Sequence, residues 1–160
     1  MTRATQGLAL VADIGASNTR LALARGGCIL PGSASRVSTL DAPSAAAMLA
    51  AYLRTQRPRP ETACLAVAGP VRGGVARMQN RGWRIRGAEL ASALGLAPVT
   101  LVNDLQAQAL ALDHLPAASQ EPLLDGRPET AATRLVIGLG TGVNCAAIHP
   151  VAGDGRLPHV

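Results

Sequence analysis

The sequence predicts an α/β domain built on a mixed sheet, and three observations predict it. Short runs of Val, Leu, Ile and Ala alternate with longer segments whose apolar residues recur at helical spacing. The first two runs, inside "LVADIGASNTRLAL" at 10–23, flank a polar stretch too short for a crossover helix. They must therefore pair as an antiparallel hairpin, so the sheet cannot be all parallel. Hydrophobic residues make up 48% of the 160 residues, enough to bury a real core.

Taken in order, Leu8–Asp13 reads as a strand and Thr19–Ala24 as its partner, with Cys28–Leu30 extending a third. "DAPSAAAMLAAYLRTQ" at 41–56 is a helix: it is alanine-rich and places Met48, Leu49, Tyr52 and Leu53 on one face. Asp41 or Ser44 can cap it, because Pro43 is tolerated near a helix start. "RPRP" at 57–60 stops it. Thr62–Ala68 is a buried strand that ends in the turn "AGPVRGG". "VARMQNRGWRIR" at 75–86 alternates weakly, with Trp83 and Ile85 on one side and Arg84 and Arg86 on the other. "GAELASALGL" is a short helix closed by Gly95. A strand Val99–Val102 leads into the helix "DLQAQALALDHL", where Leu105, Ala109 and Leu112 share a face. "SQEPLLDGRPETAA" is loop, "RLVIGLGTGVNCAAI" at 134–148 is a second hairpin, and "PVAGDGRLPHV" carries no element.

Net charge is +5 and the isoelectric point about 10.4. All fifteen basic residues are arginine, Phe is absent and Ala, Gly and Pro abound, so the charge reflects a bias acting on the whole chain. The densest basic stretch holds Arg72, Arg77, Arg81, Arg84 and Arg86 around a single aromatic, Trp83. It lacks a stacking platform and reads as a solvated hairpin face, so no nucleic-acid partner is expected. No apolar run is long or pure enough to span a bilayer, and "MTRATQG" lacks the apolar segment of a signal peptide. No membrane partner is expected, and the expected location is cytoplasmic. Cys28, Cys64 and Cys145 are scattered; the last two sit in apolar strings and read as small core residues. His114 and His149 read as surface or interface residues, and His159 carries no assignment.

The two hairpins share a design: apolar strand, glycine-containing turn, apolar strand. Consecutive backbone N–H groups in a tight turn form an anion nest, and a phosphate approaches closely only past small side chains. Gly15, Ala16 and Ser17 meet that demand in the first turn, and Gly138, Gly140 and Gly142 in the second. Ser17, Thr19 and Thr141 add hydroxyl donors. Asp13 would repel a phosphate but suits Mg²⁺ held between protein and phosphates. Either turn alone favours an ordinary hairpin with small residues; the two together, with an acidic residue on the first, favour phosphate. "LVND" offers a second site, because ligands of open α/β sheets bind at the carboxyl ends of strands. Asn103 there can donate to and accept from a polyol. Asp104 can take a proton from a hydroxyl attacking a phosphoryl group, and would also cap the following helix.

Four stretches in order resemble the bacterial glucokinase family: "LVADIGASNTRLAL", "LAVAGPVRGGVARMQNRGWRIRGAEL", "LVNDLQAQALAL" and "VIGLGTGVNCAAI". The resemblance implies an actin-like ATPase of ribonuclease-H-like fold that phosphorylates glucose or a related hexose with ATP and Mg²⁺. By it Asp104 is the general base, Asn103 a hexose contact, and Asn80 lines the same cleft as part of an Asn-x-x-Trp pattern with Trp83. Ala12, Asp13, Ile14, Gly15, Ala16, Ser17, Asn18 and Thr19 become the first ATP phosphate stretch, with Asp13 toward the metal. Gly140, Thr141 and Gly142 become the second.

Two departures stand out. The family shows Gly-Thr where this chain has Ala16-Ser17, a strain if that position requires a positive φ. The chain also stops at "RLPHV", before the Gly-Glu-x-x-His stretch that the family places after "LP". The expected organisation is thus an amino-terminal kinase domain over 1–130 and the first hairpin of a truncated second domain over 131–160. The expected activity belongs to a fragment or shortened form; the competing expectation is a non-catalytic remnant with a residual sugar or phosphate site. Either self-association through the unpaired hairpin or marginal order from Arg134 onward is expected.

Overall fold

Strand β1 (Ala9–Ile14) shows why this chain folds as a layered sheet. Its residues alternate, so that Leu10, Ala12 and Ile14 are buried while Val11 and Asp13 face the other side. The computed structural model describes residues 7–127, 129, 132–139 and 143–149. The chain divides after Asp104 into two compact units, and most of the sheet lies in the first, which ends there.

In that unit β2 (Asn18–Arg25) folds back antiparallel on β1, from Ile14 opposite Thr19 to Ala9 opposite Ala24. β3 (Cys28–Ile29) and β4 (Ser35–Ser38) both pair with the outer edge of β2. β4 was not expected; its four residues "SRVS" carry one apolar side chain, too few to show a period. The chain then crosses through helix α1 (Ala45–Thr55) to β5 (Thr62–Val67), which lies parallel to β1. Of the two expected caps, Ser44 serves: its Oγ accepts the N–H of Ala47 at 3.1 Å. Met48, Leu49, Tyr52 and Leu53 are buried, as their spacing requires, and pack with Leu10, Ile14, Leu23 and Leu65. The Tyr52 hydroxyl donates to the Ser33 carbonyl at 2.7 Å, which fastens α1 to the segment between β3 and β4.

After β5 the chain builds a small antiparallel sheet of β6 (Val71–Arg72), β7 (Val75–Met78) and β8 (Trp83–Arg86). A 3₁₀ turn, Gln79–Arg81, joins β7 to β8 and ends at Gly82 with φ 63°. Ala76, Met78 and Ile85 face the core and Arg77 and Arg84 face out. Helix α2 (Gly87–Leu94) closes on Gly95 with φ 67°, the expected left-handed stop. β9 (Val99–Asn103) then adds parallel to β5 and completes a mixed sheet in the order β3-β2-β1-β5-β9, with β4 also on β2.

Helix α3 (Asp104–Ala111) opens on the last residue of this unit and runs into the second one, where a 3₁₀ turn, Leu112–His114, continues it. The compact units thus divide at 104/105, where α3 begins. Leu105 and Ala109 pack with Ala146 and Ile148 of the hairpin β10 (Arg134–Leu139) and β11 (Val143–Ile148), so helix and hairpin share a core. Arg134 forms an ion pair with Asp113 through both guanidinium nitrogens, and this neighbour holds the Asp113 carboxyl below the usual range. The other hairpin face is open: Leu135, Ile137, Leu139 and Val143 are 57–81% exposed. Cys145 is exposed there too, and Cys28 and Cys64 are exposed in the first unit, so none is the core residue expected of the last two. Cys64 alternates out of the core because Ala63 and Leu65 face in. The 140–142 turn and the 150–160 tail lie outside the described residues. Among the described residues no helix is long and apolar enough to cross a membrane.

Gly69 limits what the fold tolerates. A Cβ there would lie 2.1 Å from the Arg77 carbonyl oxygen, a backbone atom that cannot rotate away. Gly69→Ala is expected to destabilise the protein by about 1–3 kcal/mol in urea unfolding. Gly126→Ala, where a Cβ meets nothing within 4 Å, should change stability by less than about 0.5 kcal/mol. Tyr52 is the only tyrosine. Burial pushes its phenol pKa up, against a smaller lowering by the bond to Ser33. Its stabilising contribution is fully present below the unfolded value near 10 and is lost as pH rises through the higher folded value. Absorbance titration at 295 nm should show one midpoint above 10, and unfolding in denaturant should return it to about 10.

Candidate active site

The turn between β1 and β2 is closed by the Gly15 N–H, which donates to the Asn18 carbonyl at 3.0 Å. Only glycine fits, since a Cβ would sit 2.8 Å from that carbonyl oxygen. No described non-glycine residue has a positive φ, so Ala16 replaces the family's glycine without backbone strain. Gly15 and Ala16 are half-buried, and Ser17 and Asn18 are exposed. Together they form a small-sided tip with a hydroxyl at Ser17. Asn18 Oδ1 accepts from Arg36 Nε at 3.3 Å.

The remaining residues of this stretch divide sharply. Ala12 and Ile14 point into the core, so their side chains are unavailable to a ligand. Thr19 is also fully buried, and its Oγ1 lies 2.8 Å from Thr39 Oγ1. Its hydroxyl, expected among the phosphate donors, instead satisfies a buried partner. Asp13 stands on the opposite sheet face, half-exposed, with Arg20 NH1 3.3 Å from its Oδ2. Among the described residues no group of three or more His, Cys, Asp or Glu side chains could enclose a metal. One carboxylate fits a Mg²⁺ that keeps its waters and phosphate oxygens, provided Arg20 yields.

At the other strand end, β9 finishes on Asn103 and α3 begins on Asp104. Asn103 Nδ2 donates to the Gly69 carbonyl at 3.0 Å and to Asp104 Oδ1 at 2.8 Å. The asparagine thereby ties the β5–β6 turn to the β9 end and orients the adjacent carboxylate. Asp104 sits in the first turn of the helix rather than before it, where the helix dipole favours a negative charge. Asn80 is exposed in the 3₁₀ turn between β7 and β8. Gly140, Thr141 and Gly142 lie outside the described residues, and with them the expected pairing of two turns.

Two residues of this region escaped the sequence reading. Thr39 joins β4 to the first turn: its N–H donates to the Ser17 carbonyl at 2.9 Å, beside the hydroxyl pair with Thr19. Arg81, expected on a solvated face, is half-buried and donates through NH2 to the carbonyls of Leu40 (3.2 Å) and Ala42 (3.1 Å). Its guanidinium carbon lies 5.0 Å from the Trp83 ring centroid. The hint for Arg81 was its place beside the only tryptophan, because a planar cation stacks on an aromatic face.

The family model for glucokinase matches residues 10–157. The glucokinase of Chromohalobacter salexigens is 34% identical over 147 residues, which cover 91% of this chain and 46% of that one. A solved glucokinase from an Antarctic psychrotroph superposes with a TM-score of 0.80 at 29% identity, over 91% of this chain and 47% of the other. The glucokinase of Balamuthia mandrillaris, solved in complex with glucose, gives a TM-score of 0.61 at 26% identity, over 100% and 49%. The chain spans about half the length of the curated relatives it matches. Its mixed sheet is accordingly that of the actin-like ATPase fold. Matched over nearly all its residues, and carrying the glycine turn and the Asn-Asp strand end in the same order, this chain belongs to the glucokinase family.

Proposed function

We propose that the chain carries part of the machinery of an ATP-dependent glucose kinase of the cytoplasm. The observation that supports this best is the Asn103–Asp104 junction. It sets a carboxylate at a strand end and helix start, held by an amide that is itself anchored on Gly69. In the reaction Asp104 accepts the proton of a hexose hydroxyl as its oxygen attacks the terminal phosphorus of ATP. The bond from that phosphorus to the bridging oxygen breaks, and ADP leaves with the electron pair. Asn103 keeps the carboxylate in place, and Asn80 and Asn103 line the hexose side. The tip Gly15–Asn18 offers backbone N–H groups and the Ser17 hydroxyl to phosphate oxygens. Mg²⁺, held near Asp13, would neutralise phosphate charge as the bond breaks.

Gly140, Thr141 and Gly142 complete the nucleotide side in this reading, and residues 131–160 open a second kinase domain. The described part of the hairpin supports that assignment, because the face that α3 does not cover exposes Leu135, Ile137, Leu139 and Val143. Its partners are glucose or a related hexose and ATP.

Asp104→Asn keeps the size and helix-start position of the side chain but removes its basic oxygen. Glucose-dependent ADP release, by the chain alone or complemented with a separate carboxy-terminal kinase fragment, should fall by about 10²-fold or more. Stability in urea should stay within about 0.5 kcal/mol. A loss of activity that merely follows lost stability would make Asp104 a structural residue.

A further inference from the structure

A continuous set of contacts runs between the two ends of the proposed site. The Ser17 carbonyl and Thr19 hydroxyl, in or beside the glycine turn, are both bonded to Thr39. Thr39 starts a short loop that folds on itself, since the Ala42 N–H donates to the Thr39 carbonyl at 3.3 Å. The carbonyls of Leu40 and Ala42, on either side of Asp41, are both held by Arg81. Arg81 belongs to the same 3₁₀ turn as Asn80 and stacks near Trp83.

The contacts are strong enough to transmit position. Thr19 and Thr39 are both 0% exposed, so breaking their bond strands a hydroxyl away from water. Arg81 has no ion pair among the described residues; two backbone carbonyls and an aromatic ring hold its charge, and its Nε is buried with no partner. Such a cation is held by geometry: one guanidinium nitrogen reaches both carbonyls while the planar group lies near the Trp83 ring, a stacking contact that a lysine ammonium does not make.

We propose that residues 39–42 are a strut that sets the nucleotide-side turn and the Asn80 turn against one another, with Thr39 and Arg81 as its positioning residues. The functional part of this inference rests on the kinase reading; the mechanical part does not. Displacing one turn displaces the other, so hexose binding at the Asn80 side and phosphate binding at Gly15–Asn18 are coupled through backbone carbonyls rather than through a shared ligand.

Amide hydrogen exchange, read by mass spectrometry in segments 15–19, 39–42 and 79–83, tests the strut without any ligand. Arg81→Met keeps the length of the stem and removes the fork. It should speed exchange about tenfold or more in 39–42, and also in the distant 15–19 segment. Thr39→Val should do the same at 79–83, while Thr39→Ser restores the original rates and Arg81→Lys gives intermediate ones. Far-UV circular dichroism identifies a variant that fails to fold: Arg81→Lys then stands in for Arg81→Met, and the Arg81 variants alone decide where Thr39→Val does not fold, segment 15–19 exchanging faster if the strut exists. Acceleration confined to the segment next to each substitution would overturn the proposal. Glucose titration of Trp83 fluorescence, with and without a non-hydrolysable ATP analogue and Mg²⁺, reads the functional consequence. Arg81→Met should abolish an effect of nucleotide on glucose affinity of about fivefold or more. If the unsubstituted chain binds no glucose even when complemented with a separate carboxy-terminal kinase fragment, the kinase reading fails, and the exchange result still decides the strut.

Discussion

One hydrogen bond, from the Asn103 amide to the Gly69 carbonyl, joins three pieces of the first unit. Gly69 ends the turn after β5, where its own N–H donates to the Val67 carbonyl at 2.8 Å. Its Cα is pressed against the backbone of β7, so the small sheet is docked without an intervening side chain. The bond from Asn103 then fixes the end of β9 to that point. Because the same amide donates to Asp104, the position of the carboxylate follows from the packing of β5, β7 and β9. In the proposed reading, placing the carboxylate this way takes it out of the hands of a mobile loop. The two residues are adjacent, so the one amide both anchors the strand end and fixes the carboxylate beside it.

The glycine turn solves the opposite problem. To bind phosphate, as proposed, this tip must keep its N–H groups near solvent and still hold its shape. Gly15 gives the tip its closure by bonding across to Asn18, and the flanking Thr19 anchors it from beneath. A buried hydroxyl pair is directional where an apolar contact is not, so the Thr19–Thr39 bond fixes the tip more narrowly than a Val–Val contact could. The hydroxyl of the threonine that pattern reading assigned to the ligand is thus engaged in the support. Side-chain type alone cannot separate these roles, because strand alternation decides which way the hydroxyl points.

That distinction marks what the residues revealed before their arrangement was known. The hairpin of β1 and β2, the buried face of α1, the stop at Gly95 and the hairpin at 134–148 follow from local period and turn chemistry, and each forms as read. The Asn-Asp end of β9 was legible for the same reason, since strand, polar pair and helix succeed one another in a dozen residues. β4, Thr39 and Arg81 were not legible. Their meaning lies in partners 14 to 41 residues away, such as Leu21, Thr19 and Leu40, which no local period reports. Cys64 misled because an apolar run with no alternation hides which residues face out.

The same ambiguity governs the hairpin of the second unit. In "RLVIGL" the apolar residues do not alternate with polar ones, a pattern typical of strands covered on both faces. Pairing sets Leu135 with Ala147, Ile137 with Cys145 and Leu139 with Val143 on one side, all apolar. The other side holds Val136 with Ala146 and Arg134 with Ile148, and there α3 supplies the cover. Two isolated strands are marginal in water, and this pair gains its core from one helix. A face of six apolar side chains has no favourable contact with water to offset the ordering of its strands. Such a face is chemically a core surface. Polar substitutions on it, unlike those at ordinary exposed strand positions, would remove the means by which a further layer could pack there.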